Sequence, residues 1–150
     1  AMTEEVADLR DDLGFPGMRI LENAFGGDAK NHDLPHNHIA HCIAYVGTHD
    51  NDTAIGWYRS IPKNVRTHCR KYLHSNGREI HWDMIRAVTA SVADVAVFQM
   101  QDVWGLQSDA RMNTPATTSG NWQWRLSADA LTNELSSRLR KLAEMYGRAN

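Results

Sequence analysis

Ile43-Ala44-Tyr45-Val46 is a short, unbroken apolar run that empties through Gly47-Thr48 into His49, Asp50, Asn51 and Asp52. A run of this length without polar alternation fits a strand buried on both faces, the pattern of parallel sheet. Parallel sheets gather ligands where the C-terminal ends of their strands open into loops. The segment therefore reads as the edge of an active site, with Gly47 letting the backbone bend so that Asp50 or Asp52 points into a cleft. The same polar residues also suit the start of a helix, where Asp and Asn side chains satisfy free N–H groups.

The flanking sequence repeats this theme. Met18, Ile20, Leu21, Ala24 and Phe25 read as a first strand closed by Gly26-Gly27-Asp28, and Val95 to Met100 as a third, ending in the polar Gln99, Gln101 and Asp102. Helical spacing appears over Thr3 to Leu13 (Val6, Leu9, Leu13), over about Asn64 to Leu73, and over Glu79 to Ala93 (Ile80, Met84, Ile85, Val88, Val92). Ser75-Asn76-Gly77 stops the second of these, while Ala54 to Ser60 reads only as a connection. Strand, helices, strand is the order of parallel crossover units, so the fold class is α/β with about three parallel strands and surrounding helices. Gly105 to Arg125 reads as a long loop, functional rather than disordered because of its aromatics. Thr132 can cap a last helix with Leu131, Leu135, Leu139, Leu142 and Tyr146 on one face.

At 150 residues the chain fits one domain with a sizeable core, so 1–150 is taken as a single segment. Lys plus Arg number 16 against 18 for Asp plus Glu, a net charge of -2, which favours neither nucleic acid nor an anionic membrane. Trp57, Trp104, Trp122 and Trp124 fall in segments read as loops or helix starts, where a flat apolar ring with an N–H suits sugars and interfaces as well as core. Cys42 and Cys69 are too few for a disulfide framework and are expected to be reduced thiols in a cytosolic protein. No stretch is long enough to span a bilayer, and the acidic start (Glu4, Glu5, Asp8) is unlike a signal peptide. Ala1 ahead of Met2 reads as the remnant of a cleaved tag on a truncated chain.

Several segments together are specific enough to resemble a family. They are Gly14-Phe15-Pro16-Gly17-Met18, Leu34-Pro35-His36-Asn37, Gly47-Thr48-His49-Asp50-Asn51-Asp52-Thr53, Gln101-Asp102-Val103, Ala110-Arg111-Met112-Asn113-Thr114-Pro115 and Gly120-Asn121-Trp122-Gln123-Trp124-Arg125. In this order they resemble the amylomaltases, the 4-α-glucanotransferases or disproportionating enzymes of bacteria and plastids. The resemblance implies the C-terminal part of a (β/α)8 barrel, with its last three strands present.

It also implies a transfer of α-1,4-glucan segments between maltooligosaccharides, with retention and without metal or organic cofactor, in a bacterial cytoplasm or a plastid. Of the family's three carboxylates only the stabilising Asp is matched, by Asp50; the nucleophilic Asp and the acid/base Glu have no match in this sequence. The isolated chain is therefore expected to be inactive. His49, His36, Asn37 and Asn113 would bind substrate, while Trp122 and Trp124 would pack their loop against the barrel. The sequence departs from the family pattern at Asp33 and His38, where aromatics are common, and at Ala116, where Gly is expected.

Two rival readings remain. His32, His36, His38 and His41 offer several imidazoles within ten residues and could form a metal-binding module, although their spacing matches no helical His site and no Cys pair is near. Alternatively the chain is an assembling or complementing subunit. Three strands of a closed barrel would leave two open edges, which invite a homo-oligomer.

Overall fold

The computed structural model describes residues 3–149, so the reading of Ala1-Met2 as a tag remnant lies outside the described residues. The sheet has three parallel strands in the order β1-β2-β3: β1 is Gly17–Ile20, β2 is Cys42–Tyr45 and β3 is Val95–Val97. Gly17 stands opposite Cys42, and Ile43 opposite Val95. The expected α/β class with parallel strands is what the chain adopts.

Helices fill the connections. α1 (Glu4–Asp12) precedes β1; α2 (Ala54–Ser60), α3 (Lys63–Leu73) and α4 (Ile80–Thr89) cross from β2 to β3; α5 (Met100–Val103) and α6 (Asn133–Met145) follow. The β1 to β2 connection has no α-helix and turns twice through 3-10 segments, Leu21–Asn23 and Pro35–Asn37.

Where structure and sequence pattern differ, the reasons are local. The first apolar run is a strand only to Ile20, because Leu21–Asn23 coils into a 3-10 turn; Leu21, Ala24 and Phe25 still reach the core. The third run stops at Val97, and Met100 already starts α5. Residues 54–60 form α2 rather than a bare connection, capped by Thr53 Oγ1 accepting from Gly56 N–H at 3.1 Å. Seven residues are too few for helical periodicity to show in sequence. Val92 is exposed because α4 ends at Thr89, before the stripe reaches it.

α6 forms as its cap foretells, with Leu135 N–H donating to Thr132 Oγ1 and with Leu135, Leu139 and Leu142 against the core. Leu131 stays in solvent. α1 forms too, yet Val6, Leu9 and Leu13 are 52%, 58% and 60% exposed, so its apolar stripe meets no partner among the described residues.

The core lies between the sheet and the α2–α4 layer, around Leu21, Phe25, Leu34, Ala44, Val46, Met84, Ile85 and Val88. Cys42 and Cys69 are buried free thiols. Burial pushes Cys69 up to about 12 and raises Cys42 as well, so both behave as small apolar side chains rather than nucleophiles.

Candidate active site

The turn after β2 is fixed from two strands. Asn51 N–H donates to Thr48 O at 3.0 Å, and Asn51 Oδ1 accepts from Thr48 N–H (2.9 Å) and Thr48 Oγ1–H (2.8 Å). Gln99, just past β3, donates from Nε2 to Thr48 O at 3.0 Å. The middle of the turn, His49 and Asp50, faces outward with each side chain 54% exposed.

Asp50 is met there by the loop after α5. Its Oδ1 accepts from Asn113 Nδ2 at 2.6 Å and lies 3.4 Å from His49 Nε2. Arg111 ties both partners, donating from Nη2 to Asp50 O (2.6 Å) and from Nε to Asn113 O (2.8 Å). The Trp122 indole packs on the His49 ring with centroids 5.0 Å apart.

Trp122 thus contacts a candidate site residue. Arg111 and Trp122 are members of this group that the sequence reading did not assign to it. Their signal was present in the polar, aromatic character of the 105–125 loop.

That loop closes on itself. Trp122 N–H donates to Met112 O at 2.7 Å, and Asn121 Oδ1 accepts from Thr114 N–H at 2.8 Å. Ala116 and Trp122 adopt left-handed backbone, φ 64° and 62°. For a residue with a Cβ such a conformation costs roughly 1–2 kcal/mol. This is the physical reason a glycine is expected at position 116.

The neighbouring acids are engaged by hydrogen bonds around the start of α2. Asp52 Oδ1 accepts from Thr53 N–H (2.8 Å), its Oδ2 from Ser108 Oγ–H (2.7 Å), and Asp102 Oδ1 from Ala54 N–H (2.7 Å). Together with Thr53 they cap α2. The capping reading of this segment is realised by Thr53 and Asp102, while Asp50 is left on the surface. A Cβ on Gly56 would collide with Ser108 Oγ and the Asp52 carboxyl, so the packing here requires glycine.

Asp102 is buried with Oδ2 unpartnered among the described residues. Burial first and then the Asp52 charge push its carboxyl up to about 6, against the pull of the Ala54 N–H. Glu22, in the turn after β1, is pushed up to about 9, mainly by burial and then by the charges of Asp102 and Asp52. No motif marks Glu22; its one sequence signal is an acid inside an apolar run.

The structure does not bring His36 and Asn37 to this group. His36 Nδ1 pairs with Tyr72 Oη and its Nε2 with Ala29 O, both at 2.9 Å, while Asn37 Nδ2 donates to Ala29 O and Asn31 O at 2.8 Å. His36 shares a surface depression with Ala90, Ser91 and Val92, which lead into the start of β3, the opposite end of the sheet from Asp50. Asp33 and His38 have interior roles as well: Asp33 Oδ1 accepts from Ile20 N–H at 2.9 Å, and His38 Nε2 pairs with Asp33 O at 3.1 Å.

The histidines of this segment therefore bind separate backbone and side-chain partners. Among the described residues no group of three or more His, Cys, Asp or Glu side chains is placed to hold a metal ion. The metal-module reading gains no support from the geometry.

An outward carboxylate held by an amide and an imidazole can accept hydrogen bonds from sugar hydroxyls and place negative charge beside a cationic ring. A family model described as 4-alpha-glucanotransferase (Glyco_hydro_77) matches residues 1–132.

The chloroplastic/amyloplastic 4-alpha-glucanotransferase of Oryza sativa subsp. japonica is 47% identical over 150 residues, covering 99% of this chain and 25% of that protein. The 4-alpha-glucanotransferase of Synechocystis is 44% identical over 149 residues, covering 98% and 30%. The amylomaltase of Streptococcus agalactiae, solved with acarbose, superposes with a TM-score of 0.93 at 34% identity over 100% of this chain and 31% of that one. The chain thus spans about a quarter to a third of the length of these proteins, and its three strands fit part of a larger barrel. On the family match and these identities together, the chain belongs to the 4-alpha-glucanotransferase family.

Proposed function

We propose that Asp50 is the transition-state-stabilising carboxylate of a retaining α-1,4-glucan transfer, with His49 and Asn113 as its sugar-binding neighbours. On this reading residues 1–150 form one segment, the C-terminal part of a catalytic (β/α)8 barrel. The observation that carries it is the division of labour after β2: Asp52 and Asp102 are occupied at the start of α2, while Asp50 is turned outward and held by Asn113 and His49. The acarbose complex of the streptococcal relative supports a saccharide ligand. His36 and Asn37, which the resemblance implies as cleft residues, are assigned here to holding the β1 to β2 connection.

Retaining transfer needs one carboxylate to attack the anomeric carbon and a second group to protonate the leaving oxygen, about 5 to 5.5 Å apart. Asp50 supplies neither role; it stabilises the oxocarbenium-like ring and its hydroxyls. The reaction needs no metal and no organic cofactor. The 150 residues alone are therefore expected to leave maltotriose unchanged, and to form longer and shorter maltooligosaccharides only when mixed with the complementary N-terminal portion of a relative. Chromatography of the products decides: turnover by the chain alone overturns the assignment.

A second reading concerns assembly. Among the described residues β1 and β3 each pair on one side only, and Met18, Val95 and Val97 are 49%, 46% and 37% exposed. Open edges of this kind invite pairing. We propose that copies associate through them, and light scattering that finds a stable monomer would overturn it. No helix among the described residues is long and apolar enough to cross a membrane; the compartment proposed is the bacterial cytoplasm, or the plastid for a plant-type source.

A further inference from the structure

Besides the outward Asp50, three carboxylates stand just beyond the strands: Glu22 after β1, Asp52 after β2 and Asp102 after β3. Two are spent on α2, as described. Glu22 is not. It is 5% exposed, and neither carboxyl oxygen has a partner in good hydrogen-bond geometry among the described residues.

Its backbone N–H donates to Val46 O at 3.1 Å, which locks it beside the end of β2. Its carboxyl lies so close to Gly47 that a Cβ there would sit 2.9 Å from Oε1 and 3.2 Å from Asn51 Cβ. Glu22, Gly47 and Asn51 therefore form one packed unit. Asn51 is also the residue whose Oδ1 closes the turn bearing His49 and Asp50.

We propose that Glu22 is a positioning residue for the His49–Asp50 turn, acting as a neutral carboxylic acid wedged beneath Gly47 and Asn51. A neutral acid offers one O–H donor and one carbonyl acceptor, whereas an ionised one offers acceptors only. Asn51 Oδ1 already accepts from two Thr48 donors, so its amide Nδ2 remains available to the Glu22 carbonyl. An ionised Glu22 would instead place a buried negative charge beside two others.

The charged groups facing it are Asp102 and Asp52, which disfavour ionisation, and Arg111, which favours it; Asn51 is the neutral polar neighbour that also favours it. Burial and the two acids prevail, and together they push the carboxyl up to about 9. Deprotonation then strains the turn that carries Asp50. The idea rests on Asp50 being the working carboxylate only for its consequence in glucan transfer; the coupling of Glu22 to the turn stands independently of it.

The sign for stability follows from linkage. Glu22 binds a proton in the folded chain up to about pH 9 and in the unfolded chain only to its ordinary value of 4.5. The folded state thus holds more protons between these limits, and stability falls as pH rises through them. The contribution is fully present below 4.5.

The test uses the whole 150-residue chain. NMR of the side-chain carboxyls should show Glu22 titrating near pH 9, with the amide signals of Thr48, His49 and Asn51 moving at the same midpoint. In Glu22→Gln, which stays neutral and keeps the shape, the turn signals should match the parent at pH 7, and their alkaline transition should vanish. The Gln variant should also lose the fall in urea midpoint that the parent shows between pH 5 and 9.

Glu22→Leu, which has neither donor nor acceptor, should displace the turn signals already at pH 7. Should it fail to fold, the Gln variant decides alone. Titration of Glu22 below pH 5, or an alkaline transition of the turn that persists in Glu22→Gln, overturns the proposal. Neither readout involves sugar, so their outcome is separate from whether Asp50 serves glucan transfer.

Discussion

Asp50→Asn, introduced into a transferase reconstituted with the complementary barrel strands, is expected to lower kcat/KM for maltotriose disproportionation on the order of 10³-fold, about 4 kcal/mol. The substitution removes one negative charge and little else. Asn keeps an Oδ1 to accept from Asn113 Nδ2, which is 2.6 Å from Asp50 Oδ1 in the parent. The turn is held by Thr48, Asn51 and Gln99, none of which bonds to the Asp50 side chain.

Stability should therefore stay within about 0.5 kcal/mol, as for most surface changes. A carboxylate that acts on a developing oxocarbenium ion lowers kcat when neutralised, whereas one that only binds hydroxyls raises KM. Steady-state kinetics with acarbose as competing ligand separates these. Unchanged kcat/KM in the Asn variant would remove Asp50 from the chemistry.

The largest expected effect on folding is at Phe25, 2% exposed at the junction of the β1 to β2 connection with α2 and α3. Its ring centroid lies 5.8 Å from that of Trp57, 5.9 Å from His68 and 5.9 Å from Tyr72, the last two edge-on. Its carbonyl also pairs with His68 Nδ1 at 3.0 Å.

Phe25→Ala removes the ring and leaves a cavity among three aromatic side chains, a change that costs about 3–5 kcal/mol in buried cores. Against the roughly 5–15 kcal/mol that holds a typical domain together, this is a large share. Urea unfolding followed by circular dichroism checks it, and Phe25→Leu, which keeps most of the apolar volume, should lose distinctly less. A loss under about 1 kcal/mol for Phe25→Ala would mean that the site collapses around the gap.

The residues that form helices and strands were legible for ordinary reasons. α4 and α6 carry long apolar stripes at helical spacing, and Thr132 with its downstream leucines marks the start of α6 in the sequence. α2 is not legible in the sequence because a seven-residue helix shows barely two turns of pattern. The first and third strands were read too long, since Leu21 and Met100 are as apolar inside a helical turn as in a strand. α1 shows the converse: Val6, Leu9 and Leu13 give a clear stripe that nothing among the described residues covers.

For the site, the sequence by itself determined which residues leave β2: His49 and Asp50 follow an apolar run by covalent order, and Asn113 sits in a recognisable segment. Only tertiary structure decided which of them meet. Asp50 and Asn113 are 63 positions apart, joined at 2.6 Å through a loop that closes on Trp122 and Arg111. His36, closer in sequence, is carried to the other end of the sheet.

Glu22 shows the same limit most sharply. A glutamate in an apolar run looks like any solvated acid until three strand ends converge. Burial and neighbouring charge, which set its protonation, are properties of packing, and periodicity along the chain cannot report them.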